Sequence, residues 1–228
     1  MAETYGTRLP RAADGPIQGR LIVIEGADGS GRTTEVARLK EWLEIEGHPV
    51  VDTGLRRSRL VGAEIDRAKQ GHTLSPTTMS ILYAADFADQ LENKILPSLV
   101  AGSAVLADRY IYTLMARAVV RGATREWARK LYSFALVPHL TVFLDARPEI
   151  LLHRAIARYG SLDYWESGMD LSISRDRFES FFAFQRLLQT EFDWMAKEYG
   201  FVRVNADRDP DAVDADVRTA VARLYAPH

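Results

Sequence analysis

The chain has 228 residues, with 29 Lys plus Arg against 31 Asp plus Glu, a formal net charge of −2 and no cysteine. That length suits one α/β domain with a sizeable hydrophobic core. The near balance of charge argues against a nucleic-acid or anionic-membrane partner. The missing cysteines exclude disulfides, thiolate catalysis and cysteine-based zinc sites, and suit a reducing, cytoplasmic setting.

Residues 1–19 hold no continuous apolar stretch and read as a flexible leader, not a secretory signal. No apolar run approaches the ~20 residues that a membrane helix needs. Residues 20–228 then form a single domain. A short buried strand is predicted over 21–25, followed by a glycine-rich loop and a helix over about 32–46. A second strand spans 50–53, and a basic loop spans 54–62. Ser75-Pro76-Thr77-Thr78 caps a long helix that reaches about residue 100 and stops at Gly102. Strands follow at 104–107, ending on Asp108, at 140–144, ending on Asp145, and at 201–204. A last helix covers about 211–225. Residues 159–174 show no periodicity and read as a mobile flap, the middle of a lid around 154–177. Strands alternating with helices imply a parallel sheet with helices on both faces.

The strongest local signal is Gly26-Ala27-Asp28-Gly29-Ser30-Gly31-Arg32-Thr33-Thr34, which follows a strand and opens a helix. Glycines let backbone N–H groups turn inward around phosphate oxygens, and the helix N-terminus adds partial positive charge. Thr33 offers a hydroxyl to Mg²⁺. The phosphate-loop pattern asks for Lys where this chain has Arg32. Charge neutralisation survives that exchange, but a planar fork replaces a compact ammonium at the phosphates.

Four further segments go with the loop. They are the strand Leu21-Ile22-Val23-Ile24-Glu25, Leu74-Ser75-Pro76 leading into Leu82-Tyr83-Ala84-Ala85-Asp86, Asp108-Arg109-Tyr110 after a strand, and Leu140-Thr141-Val142-Phe143-Leu144-Asp145. In order and spacing they resemble the thymidylate kinase family, and Asp176-Arg177-Phe178-Glu179 is similar to its segment after the lid. The resemblance implies a P-loop NTPase fold with a five-stranded parallel sheet, often dimeric. It implies transfer of the γ-phosphoryl group of ATP, with Mg²⁺, to a nucleoside monophosphate. Asp108, with Thr33, would help hold the metal. Arg109 would grip the acceptor phosphate, Tyr110 would pack near the sugar, and Asp28 would face the acceptor. Arg57 matches the family arginine that holds the acceptor phosphate after the second strand. Tyr83 stands where the family places an aromatic under the base. A lid arginine reaches the transferring phosphates, and Arg154, Arg158, Arg175 and Arg177 are its candidates, with Arg158 taken as the catalytic one.

Two base-reading positions depart from the pattern. Phe87 stands where the family has a thymine-contacting Arg, and Arg117-Ala118 replaces a Tyr-Gln pair. Tyr83 and Phe87, one helical turn apart, are expected to form an apolar shelf under the base, with weak discrimination of thymidylate from other pyrimidine monophosphates. Two other readings fit the same residues. One is a kinase of a different small molecule, suggested by Arg117. The other is a nucleotide-binding module without turnover, suggested by Arg32.

Overall fold

The computed structural model describes residues 3–6, 16–71 and 74–226. Five strands form one parallel sheet in the order β2-β3-β1-β4-β5: β1 Arg20–Gly26, β2 Val50–Gly54, β3 Ala104–Asp108, β4 Leu140–Asp145 and β5 Val202–Asn205. The register sets Ile24 beside Asp108 on one side and beside Val142 on the other, so the carboxyl ends of β1, β3 and β4 form one edge. β1 is buried on both faces. Leu21 and Val23 enter one core layer, and Ile22 and Ile24 enter the other. This two-sided burial is why the strand reads as a continuous apolar run.

Helices cover both faces: α1 Arg32–Ile45, α2 Gly62–Gly71, α3 Pro76–Gln90, α4 Leu96–Val100, α5 Ile111–Val120, α6 Arg125–Leu131, α7 Pro148–Tyr159, α8 Arg177–Tyr199 and α9 Pro210–Ala222. Ser75 caps α3 by accepting from the Thr78 N–H, as its sequence predicts. The single helix expected up to residue 100 is instead interrupted by a π turn over Leu91–Ile95, before Pro97. Proline has no N–H and its ring crowds the carbonyl four residues back, so the helix widens by one residue there.

The leader expected over 1–19 falls partly outside the described residues. Its residues 3–6 are tied to the domain. Tyr5 N–H donates to Ala135 O at 3.1 Å, Val137 N–H donates to Glu3 O at 2.9 Å, and the Tyr5 and Tyr112 hydroxyls lie 2.5 Å apart. The expected flap holds turns and a short 3-10 helix over Met169–Leu171 between α7 and α8. Among the described residues no helix is long and apolar enough to cross a membrane.

Candidate active site

The chain leaves β1 at Gly26 and enters α1 at Arg32, so the glycine loop lies at the carboxyl edge of the sheet beside the end of β3. This is where open α/β sheets bind ligands. Gly31 takes φ 101° as the residue before α1, a left-handed value that a side chain would strain. A Cβ at Gly26 would come within 2.5 Å of Ser30 Oγ and 2.8 Å of Leu144 O, so the first turn of the loop demands glycine on space as well.

Arg32 is buried and folded onto the loop. Its Nε donates to Asp108 at 3.0 Å, and its Nη1 donates to Gly26 O at 2.5 Å and also to Ala27 O. Thr33 donates its hydroxyl to the other Asp108 oxygen at 2.9 Å. A hydroxyl and a carboxylate paired at the start of a phosphate-facing helix are hard oxygen donors, suited to Mg²⁺ that keeps several waters.

Asp28 leaves the loop toward α5. It accepts from Arg109 and from Arg117 at 2.7 Å, and Arg32 lies 3.8 Å away. Burial alone would raise its pKa, but Arg109, Arg117 and Arg32 together outweigh burial and hold it well below the usual carboxylate range. Arg109 itself has a left-handed φ of 73°, and its buried Nε has no hydrogen-bond partner. Two buried carboxylates fix the chain around these cations. Glu25, fully buried, accepts from Tyr110 N–H at 2.9 Å, Thr113 N–H at 3.2 Å and the Thr113 hydroxyl at 2.6 Å. Asp86, also fully buried, accepts from Arg56 N–H at 2.8 Å and Ser58 N–H at 2.9 Å, and so shapes the basic loop after β2.

Two polar clefts meet at this edge. One runs along the loop to α7 and the start of α9, and includes Arg154, Arg158, Arg208 and Val213. The other runs toward β2, and includes Arg57, Arg109, Asp108 and Lys69. Asp28, Arg32, Thr33 and Glu166 line both. The polar β2-side cleft continues into an apolar pocket that includes Tyr83, Leu114, Ala118 and Trp165.

Most residues singled out in the sequence thus converge. The glycine loop, Asp28, Arg32, Thr33, Arg57, Tyr83, Asp108, Arg109 and Arg117 line these spaces. Of the lid arginines, Arg154 and Arg158 line the loop cleft, and Arg154 donates to Gly29 O at 3.3 Å. Arg177 instead donates to Leu162 O at 3.2 Å, and Arg175 is exposed. Two expectations need correction. Phe87 lies in the core, with ring centroids 5.0 Å from Tyr110 and 5.6 Å from Phe134, so it forms no shelf with Tyr83. Tyr110 is also buried, its hydroxyl spent on Leu136 O at 3.0 Å, so it does not present a side chain to a sugar. Packing from other segments explains the first: Tyr83 edges the pocket, while Phe87 is enclosed by Tyr110, Tyr132 and Phe134. Sequence reasoning missed Glu25, Asp86, Lys69, Trp165 and Glu166.

A family profile described as thymidylate kinase matches residues 24–217. The chain belongs to the thymidylate kinase family. It is similar to a probable thymidylate kinase 2 of Saccharolobus solfataricus, 35% identical over 203 residues that cover 89% of this chain and 95% of that one. A thymidylate kinase of a Jannaschia species is 34% identical over 220 residues, covering 90% and 97%. One of Clavibacter michiganensis is 34% identical over 223 residues, covering 91% and 97%. Membership in the thymidylate kinase family makes the chain an ATP-dependent nucleoside monophosphate kinase, the first of the three readings of its residues.

Proposed function

We propose that the protein moves the γ-phosphoryl group of ATP onto the phosphate of thymidylate, giving ADP and thymidine diphosphate. The bond from the γ phosphorus to its bridging oxygen breaks, and an oxygen of the acceptor phosphate takes the phosphoryl group. The observation that carries this reading is the pair of clefts that share Asp28, Arg32, Thr33 and Glu166, one on the phosphate-loop side and one leading to an apolar pocket. ATP would occupy the loop cleft, with backbone N–H groups of the loop on its phosphates and Arg154 or Arg158 reaching over from α7. The acceptor would place its phosphate by Arg57 and Arg109 and its base beside Tyr83.

Phosphoryl transfer depends on positioning and charge, with little covalent work for side chains. Arg32 and Arg109 supply cations on either side of the junction. Asp28 holds Arg109 and Arg117 in place. Thr33 and Asp108 would hold Mg²⁺, which when bound offsets charge on the phosphate oxygens. A homodimer and a cytoplasmic setting belong to the same proposal, supported by the family resemblance and by the lack of cysteine.

The test is ADP release from ATP–Mg²⁺ with a panel of nucleoside monophosphates. Turnover that depends on thymidylate supports the reading. Turnover with none of the panel, alongside saturable ATP binding, refutes it.

A further inference from the structure

The wall between the acceptor's two spaces carries a cation that the rest of the site does not use. Lys69, Tyr83, Arg117 and Trp165 line both the polar cleft and the apolar pocket. In the polar cleft, Arg32 is paired with Asp108, Arg56 with Asp66, Arg57 with Asp52, and both Arg109 and Arg117 with Asp28. Among the described residues Lys69 is the cation of this cleft that has neither an ion-pair nor a hydrogen-bond partner for its side chain. Burial, followed by repulsion from Arg117 and Arg56, pulls its pKa down to about 8, against Asp163 and Asp28. An ammonium held back from water with no carboxylate in direct contact is costly, and a ligand oxygen would relieve that cost.

The pocket itself shows which oxygen this would be. Its other polar groups are mostly occupied. Arg121 forks onto Asp170 at 2.7 and 3.1 Å. Ser80 donates to Pro76 O at 2.9 Å, and Tyr132 donates to Ser80 O at 3.3 Å. The Trp165 indole donates to the Lys69 carbonyl at 3.2 Å, fastening the lid segment to α2 at this point. The Tyr83 hydroxyl both donates and accepts, so it does not choose between a carbonyl and an amino group. The Lys69 ammonium only donates.

We propose that Lys69 is a specificity-determining residue, which reads the acceptor's base by donating to a carbonyl oxygen on its edge and so rejects a base that presents an amino group there. The assignment rests on the nucleoside monophosphate kinase reading. It replaces the weak discrimination expected from Phe87 and Ala118 with a contact supplied from α2.

Deoxyuridylate and deoxycytidylate differ in that edge, an oxygen in one and an amino group in the other, with phosphate and sugar the same. The full chain and its Lys69→Met and Lys69→Arg variants would be assayed with both. Wild type should prefer deoxyuridylate. Lys69→Met should cut the ratio of their kcat/KM values by about 10- to 100-fold, the worth of one charge-assisted hydrogen bond. Lys69→Arg, which keeps a cationic donor, should retain most of the preference. An equal fall for both acceptors in Lys69→Met, with the ratio unchanged, would put Lys69 on the phosphate and overturn the proposal, as would no change at all. If wild type turns over no monophosphate, the kinase reading fails first. Calorimetric binding of the same two ligands then decides the role of Lys69, with the same change in ratio expected and an unchanged ratio again overturning it. Thermal melts of both variants separate these outcomes from loss of fold.

Discussion

Replacing Arg32 separates charge from shape at the phosphate loop. In Arg32→Ala, Asp108 loses its 3.0 Å ion pair, and Gly26 O and Ala27 O lose a shared donor. Breaking a buried pair costs about 3–5 kcal/mol. Asp108 borders an open cleft, so about 2–3 kcal/mol is a better figure once water reaches the carboxylate. For a chain of this length about 1 kcal/mol moves the melting temperature by roughly 2–4 °C, so a fall of roughly 4–12 °C is expected. Turnover should fall further, by about 10²- to 10³-fold, because the cation proposed for the transferring phosphates is gone. Arg32→Lys keeps that cation but cannot reach Asp108 and both carbonyls with one compact ammonium. It should lose only about 1 kcal/mol of stability, by analogy with a neutral hydrogen bond, and should keep substantial activity or gain some. Differential scanning fluorimetry and coupled ADP release measure the two effects on the same samples. Wild-type turnover in Arg32→Ala would show that the charge is not used. Arg32→Lys as inactive as Arg32→Ala would show that fork geometry, not charge, is what the site needs.

Three more outcomes follow from the geometry. A Cβ at Gly31 would meet nothing within 4 Å, but its φ of 101° strains any side chain and the space is the one phosphates would enter; Gly31→Val should weaken ATP–Mg²⁺ binding at least tenfold by calorimetry while the domain stays folded. Asp108→Asn and Arg109→Ala should each lower thymidylate-dependent ADP release by orders of magnitude with circular dichroism unchanged, since both border the cleft. Glu35, buried between α1 and α9 with one oxygen unpaired, has its pKa raised to about 7 by burial first and by Asp214 next. The folded state therefore binds the proton more tightly than the unfolded chain. That stability is complete below about pH 4.5 and is lost as pH rises through about 7. Melting temperature should accordingly fall from pH 6 to pH 8 in wild type, and less steeply in Glu35→Gln, where Glu166, likewise raised to about 7 by burial, still contributes.

How far the sequence carried depended on whether a residue's role is local. The loop from Gly26 to Thr34 is legible because its glycines, its helix start and its strand are all adjacent in sequence. The five strands are legible as short apolar runs between helical patterns, whereas their order in the sheet is not. Phe87 was misplaced because spacing of four puts it near Tyr83 but does not say which of the two edges the cavity; that is set by Tyr110, Tyr132 and Phe134 packing from other segments. The π turn before Pro97 follows from proline chemistry, but where the helix absorbs it depends on how Leu91, Ile95 and Leu96 seat in the core. Glu25 and Asp86 look the same in sequence as catalytic acids. Only the backbone N–H groups they accept from, in segments far along the chain, show that they are anchors. Lys69 carries no local signal, being one lysine on a polar helix whose neighbours across the cleft come from α3, α5 and the lid.

The buried Glu25 has an effect on where anions are admitted. Among the helices that begin at this edge of the sheet are α1, after the glycine loop, and α5, after Tyr110. Each helix start would by itself invite a phosphate. Glu25 takes two N–H groups at the start of α5, those of Tyr110 and Thr113, and sets a carboxyl against that helix end. The invitation from α5 is answered inside the protein. Of these two helix starts, only that of α1 is left open to a phosphate chain, and the choice between them is made by an acid buried beneath the loop.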